Sequence, residues 1–194
     1  AIKYRIKASI KDGEITGYQL KEAAINSNMY GLIPNFFPAG AIENYKVESG
    51  NYSSNITTGA WRAHYTNFLA FAAQRSIDEL DEARSVDPVQ LRLDLLKNVE
   101  DGKDPSIAYS AKRMIAVIKL AAEKSNWGTT SSGVHQGFSA YYSHNTHVAE
   151  VVDITMKNGQ PCVEKVTVAV DCGIVVNPTG AKNQIEGGVI DGIG

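Results

Sequence analysis

The order of patterns along this chain predicts an α+β fold. The expected form is a two-layer α/β lobe with a mixed or antiparallel sheet and helices on one face. Three observations carry that prediction. Residues 2–62 and 133–171 alternate apolar and polar side chains, or concentrate β-branched and aromatic residues, as half-buried strands do. Residues 66–127 between them repeat apolar positions at three- and four-residue spacing, as helices packed on one side do. Two dipeptides, Asp12-Gly13 and Asn158-Gly159, supply the tight turns that join antiparallel strands. Strands, three helices, strands and a last helix make an α+β order rather than a repeated βαβ unit. Residues 1–194 read as one domain with a strand-rich part (1–62), a helical part (66–127) and a strand-plus-helix part (133–194).

Ile2, Tyr4, Ile6, Ala8 and Ile10 share one face of the first strand, with Lys3, Arg5 and Lys7 on the other. The Asp-Gly turn sends the chain back as a partner strand over Ile15–Ala24. Residues 26–40, with Gly31, Pro34 and Pro38, read as an irregular connection. Its aromatics Tyr30, Phe36 and Phe37 either line an entrance or pack on the sheet edge. Ile42–Ser49 and Tyr52–Arg62 read as two further strands.

A long helix follows, with Thr66 as its cap and Leu69, Ala73, Ile77, Leu80 and Arg84 at helical spacing. Asp78, Glu79, Asp81 and Glu82 sit late in it, where carboxylates oppose the helix dipole, so at least one is expected to have a partner. Asp87-Pro88 caps and starts a second helix, with Val89, Leu93 and Leu96 on one face. After a polar loop over 100–105, Ile107 to Ala122 mark a third helix ending by Trp127-Gly128. Gly133–Tyr142 and His147–Thr155 read as strands joined at residues 143–146, and Asn158-Gly159 leads into a strand over Cys162–Asp171.

Composition excludes several classes. With 43% hydrophobic and 21% charged residues and a formal net charge of -2, the chain has no nucleic-acid or anionic-membrane footprint. No apolar run approaches the roughly 18 residues that a membrane span needs. No signal peptide is visible. The chain starts in a strand-like run and stops in a helix, so it is expected to be an internal piece of a longer protein, cytoplasmic or periplasmic. Cys162 and Cys172 lack any zinc or iron–sulfur spacing and are expected to be free, buried thiols. His144 and His147, with His135 one hairpin away, lack the companion ligands of a metal site, and the first two read as solvated turn residues.

The most informative stretch is the last one. Asp171, Cys172 and Gly173 form a tight turn, and Asn177-Pro178 reads as an N-cap followed by proline at the first helical position. Ile185, Val189 and Ile193 recur four apart and predict one buried stripe. Gly187, Gly188 and Gly192 are costly in a helix, roughly 1 kcal/mol each against alanine. Three such residues predict a close approach, by another backbone or by a cofactor.

The run VDCGIVVNPTGAKNQIEGG resembles a signature of the molybdopterin-binding subunit of the xanthine dehydrogenase/aldehyde oxidase superfamily, most of all the lineage of isoquinoline 1-oxidoreductase β-subunits. Gly59-Ala-Trp-Arg-Ala63, Asn67-Phe-Leu-Ala-Phe71, Ile77-Asp-Glu-Leu80, Asp87-Pro88, Leu91-Arg-Leu93 and Val148-Ala-Glu-Val151 match in the same order. The resemblance implies a molybdopterin cofactor gripped by backbone N–H groups, glycine turns and amide side chains. It implies Gln184 against the pterin, with Gly187 and Gly188 giving close approach; the alternative for Gln184 is a polar helix residue facing water. Glu186 reads as a helix anchor and Asn177 as a cap.

Arg62 matches the arginine of the first block and is expected beside the cofactor and substrate channel, the alternative being an ion pair with a nearby carboxylate. His64 and Tyr65 stand at channel positions where related members carry proline or valine and then glycine. Glu150 is expected in a strand salt bridge, the alternative being an inward-facing carboxylate.

The superfamily's base is a glutamate in a Gly-Glu motif downstream of this helix, so no catalytic residue is expected within the chain. [2Fe–2S] clusters are expected on a partner, the iron–sulfur small subunit. The remainder of the molybdopterin-binding subunit and a small-molecule substrate complete the expected partners. The chain alone is expected to be inactive. The competing reading is a non-catalytic scaffold or subunit-docking module that keeps the fold.

Overall fold

The computed structural model describes residues 2–26, 35–59 and 66–194. Among them the chain forms six strands and four helices, an α+β fold. Strands β1 (Ile2–Lys11), β2 (Glu14–Ile25) and β3 (Asn44–Tyr52) make one sheet in that order. Helices α1 (Thr66–Arg84), α2 (Pro88–Leu96) and α3 (Ala111–Ser125) follow. Strands β4 (Val134–Ser143), β5 (Thr146–Lys157) and β6 (Gln160–Asp171) make the second sheet, and α4 (Pro178–Ile193) ends the chain.

The hairpin turns fall where their residues demand. Asp12 and Gly13, and again Asn158 and Gly159, take positive φ at both central positions, which matches the strand twist. His144 and Asn145 do the same between β4 and β5. The second sheet is antiparallel throughout, whereas β2 and β3 run parallel.

The first sheet has one third strand where two were expected. β3 spans the gap between the two predicted runs, and residues 53–59 leave the ladder. Asn26 accounts for the break. Its Nδ2 donates to the carbonyls of Ser54 and Ile56, both at 2.9 Å, and its Oδ1 accepts from Ser54 N–H at 2.8 Å. Those backbone groups are therefore satisfied outside the sheet. Residues 60–62 lie outside the described residues.

A continuous core joins the inner faces of both sheets to α1, α2 and α3. Leu69, Ala73, Ile77 and Leu80 are buried on α1, and Met114, Val117, Ile118 and Ala121 on α3. Ile77, Leu91 and Ile118 are fully enclosed, so cutting any of them to alanine costs about 2–5 kcal/mol. Phe36 and Phe37 pack rather than line an entrance. Phe36 meets Tyr142 edge-on at 5.1 Å, Phe37 meets Tyr109 at 5.9 Å, and Phe37 is buried. Tyr30 lies outside the described residues.

Three helix details differ from the sequence reading. α2 buries Leu91, Arg92 and Leu95 besides Val89 and Leu96, while Leu93 is only half-buried, because neighbours enclose the helix on more than one side. α3 starts at Ala111, not Ile107, because Ser110 caps it by accepting from Arg113 N–H at 3.2 Å. The third correction concerns α4, which has no buried residue. Ile185 and Val189 are half-buried and Ile193 is exposed, since their one neighbour among the described residues is the outer face of β6 across an open groove.

Candidate functional site

The candidate site grows from the end of β6. Asp171, its last residue, meets Arg113 in the first turn of α3. Arg113 Nε donates to Asp171 Oδ2 and Nη2 to Oδ1, both at 2.7 Å, and Nη2 also reaches the Asp171 carbonyl at 3.2 Å. Asp171 Oδ1 accepts Gly173 N–H at 3.2 Å as well. The guanidinium, helped by the Gly173 amide, holds the Asp171 carboxyl far below the usual carboxylate range. Gly173 has φ +79°, a left-handed value that glycine adopts without strain.

Two more groups brace this corner. Asp101 accepts from Ser110 Oγ at 2.6 Å, from Ala111 N–H at 2.5 Å and from Lys112 N–H at 3.2 Å, so its carboxylate occupies the N-terminus of α3. Burial alone would raise its pKa; the hydroxyl and the two amides outweigh that and lower it. His147 stands opposite Asp171 in the β5–β6 register and is buried. Its Nε2 accepts the Ser110 N–H at 3.0 Å, which leaves the ring proton on Nδ1. Burial and the nearby Arg113 charge lower its pKa, against the opposing pull of Asp171 and Asp101. The expectation of a solvated turn histidine is therefore corrected for His147, whose alternating strand position points inward. His135 and His144 are exposed. Among the described residues no group of three or more His, Cys, Asp or Glu side chains is gathered to hold a metal ion.

From this corner the chain runs to α4. Asn177 caps the helix by accepting from Gly180 N–H at 3.0 Å. A Cβ on Gly180 would come within 3.1 Å of the Asn177 side chain, so the cap and this glycine belong together. One side of α4 carries Ala181, Ile185 and Val189 toward Val166, Val168 and Val170 of β6, across a groove of about 760 Å³. None of Gln184, Gly187 and Gly188 lines that groove; helical spacing puts Gln184 and Gly187 on the far side of α4 and Gly188, seven residues after Ala181, at the groove's edge. Gln184 and Gly188 are exposed. Nothing in the described chain comes within 4 Å of a Cβ built on Gly188 or Gly192. No neighbouring backbone in the described chain therefore requires these two glycines. The residues fit a flat heteroaromatic group: a carboxamide that both donates and accepts stands one turn from a glycine with open space over it.

Several expectations resolve differently. Arg62, His64 and Tyr65 lie outside the described residues. Glu150 has no ion-pair partner among the described residues; it lies on the outer sheet face between Ser139 and Val168, and burial there raises its pKa. Cys162 and Cys172 are free, but half-buried and exposed, because outward strand and turn positions leave them near solvent. Glu186 pairs with Lys182 at 3.6 Å, one turn away on α4 at the rim of the groove, and so ties the helix to itself rather than to a neighbour.

Sequence patterns do not mark Arg113 or His147 as site residues. One signal is available for the first. Lys112 and Arg113 put two cations in the first turn of a helix, where the dipole disfavours them unless anions stand close. The pair implies that carboxylates stand near the start of the helix, but nothing local says which.

Comparison with known proteins identifies the family. Residues 40–194 match the molybdopterin cofactor-binding domain family. The chain is 27% identical over 172 residues to a membrane-bound aldehyde dehydrogenase (pyrroloquinoline-quinone) of Gluconacetobacter polyoxogenes, covering 81% of this chain and 22% of that protein. It is 31% identical over 131 residues to the beta subunit of isoquinoline 1-oxidoreductase of Brevundimonas diminuta, covering 64% and 15%. It is 30% identical over 186 residues to the B subunit of nicotinate dehydrogenase of Pseudomonas putida, covering 81% and 15%. The chain thus spans between 15% and 22% of the length of these relatives. No solved structure matches it significantly. The chain belongs to the molybdopterin cofactor-binding domain family, within the xanthine dehydrogenase/aldehyde oxidase superfamily that its motifs resemble.

Proposed function

We propose that this chain is the part of a molybdenum hydroxylase that holds the pterin side of the cofactor along α4. The open glycine face beside Gln184 carries the reading. Gln184 would donate to and accept from the heteroaromatic edge, and Gly187 and Gly188 would let the helix backbone come close. Arg62 would orient cofactor or substrate oxygens, with His64 and Tyr65 lining the channel. When bound, molybdopterin supplies oxidation of a carbon centre with water as the oxygen source. This chain's share is to bind and orient. Asn177 caps the helix that carries Gln184, and Arg113 holds Asp171 where the chain leaves β6 toward that helix.

The substrate class is an N-heterocycle or an aldehyde, following relatives named for isoquinoline, nicotinate and aldehyde. The base, the iron–sulfur clusters on a small subunit and the rest of the pocket belong to other polypeptide, so the chain alone is inactive. A second reading, a non-catalytic docking module, draws on the exposure of Ile174 and Val176, at 95% and 92%.

Elemental and pterin analysis of the 194-residue chain, made in a host that synthesises molybdopterin, tests the division of labour. No retained molybdenum is expected, because half of the cradle lies elsewhere. Near-stoichiometric molybdenum would show that the chain holds the cofactor alone and would overturn the division.

A further inference from the structure

α4 contributes no buried residue to the fold, so packing does not decide where it stands. Its inner side looks across a groove at β6 instead of interlocking with it. The link from β6 carries Ile174 and Val176 almost fully exposed, so among the described residues they anchor it to nothing. What is fixed is the start of that link. Arg113 grips both oxygens of the Asp171 side chain and also its carbonyl, so one guanidinium sets the carboxylate and the peptide plane together. Asp171 in turn holds Gly173 N–H. Arg113 is itself immobilised in the first turn of α3, whose free amides are taken by Asp101, Ser110 and His147.

We propose that Arg113 is a positioning residue for the cofactor cradle: through Asp171 it sets the direction in which the chain leaves β6 and so the stance of the Gln184 face of α4. The inference rests on the reading of α4 as the molybdopterin cradle. The side chains of the ion pair are 36% and 37% exposed, so solvent screens it, and even with its bidentate geometry it adds only modestly to stability. A lysine at this position would keep the charge but could not hold carboxylate and carbonyl in one plane.

Two readouts test it, neither of them turnover. The first is molybdenum per chain in the full-length protein, for wild type, Arg113→Gln, Arg113→Lys and Gln184→Ala. Arg113→Gln is expected to lose about tenfold in molybdenum retention, as supporting residues around metal sites do, with its melting temperature little changed. Arg113→Lys should fall in between and, because it keeps the charge, serves should Arg113→Gln fold poorly. The second readout needs no cofactor. Spin labels at Lys119→Cys on α3 and Ile190→Cys on α4, with Cys162→Ser and Cys172→Ser, report their distance in the 194-residue chain. The distribution should be narrow with Arg113 and broad in both substituted chains.

Wild-type molybdenum in both Arg113 variants, or molybdenum loss with an unbroadened distance, overturns the positioning role and leaves the cradle reading standing. Wild-type molybdenum in Gln184→Ala overturns the cradle reading itself.

Discussion

Gln74 Oε1 accepts from Arg92 through Nε at 3.2 Å and Nη2 at 3.0 Å, while also taking the Ala140 N–H at 3.1 Å. One carboxamide oxygen thus ties α1, α2 and β4 together. Arg92 is fully buried, lies over the Phe138 ring at 5.4 Å, and pairs with Asp78 at 2.8 Å and Asp81 at 3.6 Å. These are the partners that the acidic cluster of α1 required. Arg92→Leu strands the carboxylates and should destabilise the fold by about 3–5 kcal/mol in urea unfolding. A loss below 1 kcal/mol, the scale of an exposed pair, would contradict a buried hub.

The fold class and most element positions are legible in the sequence because they depend on local period and turn chemistry. Asp12-Gly13 and Asn158-Gly159 place their hairpins, and Asn177-Pro178 and Asp87-Pro88 place their helix starts. What escapes a sequence reading depends on residues far apart along the chain. Asn26 ends β3 through Ser54 and Ile56, and His147 is buried because its Nε2 finds Ser110. At the candidate site, the motif marks Gln184 and Gly188, and both stand on an open helix face. The Arg113–Asp171 fork at the end of β6 joins residues 58 apart, and no periodicity encodes such a pairing. The predicted stripe on α4 fails for a related reason: four-residue spacing shows which residues share a face, not whether anything closes over it.

Asp87 is a cap with two duties. Its Oδ1 accepts Gln90 N–H at 2.9 Å at the start of α2, and its Oδ2 accepts Trp127 Nε1 at 2.7 Å. Asp87→Ala should cost about 1 kcal/mol for the cap. It should also alter the Trp127 environment, read as a change in tryptophan emission of the folded protein. Unchanged stability and unchanged emission would refute both duties.

His147 should impose a pH dependence. Its folded pKa lies below the ordinary 6.5, through burial and the Arg113 charge. The unfolded chain therefore takes up its proton first as pH falls, and stability is lost on acidification below about pH 6.5. Asp81 works the other way. Burial raises its carboxyl to about 6 from 3.8, so that group gains stability as pH falls through the same region. The test is thus a difference. Between pH 7 and about 5, wild type should lose more stability than His147→Gln, whose side chain still accepts from Ser110 N–H but does not titrate. Parallel pH profiles would contradict a neutral, buried His147.

Gly188 separates cradle from scaffold. A Cβ there meets nothing in the described chain, and alanine is favoured over glycine in a helix by about 1 kcal/mol. Gly188→Ala should therefore raise the helical circular-dichroism signal of the 194-residue chain. In the full-length protein the same change should lower cofactor retention by crowding the open face. Higher helicity with undiminished cofactor would favour the docking module.

Gln184 tests the central claim most directly. The measurement is molybdenum per chain in the full-length protein and its Gln184→Ala variant, both from a host that makes molybdopterin. The cradle on α4 predicts a clear fall in molybdenum with the unfolding transition unmoved, since Gln184 is exposed. Wild-type molybdenum content in the variant would contradict the assignment of α4 as the cofactor-holding element.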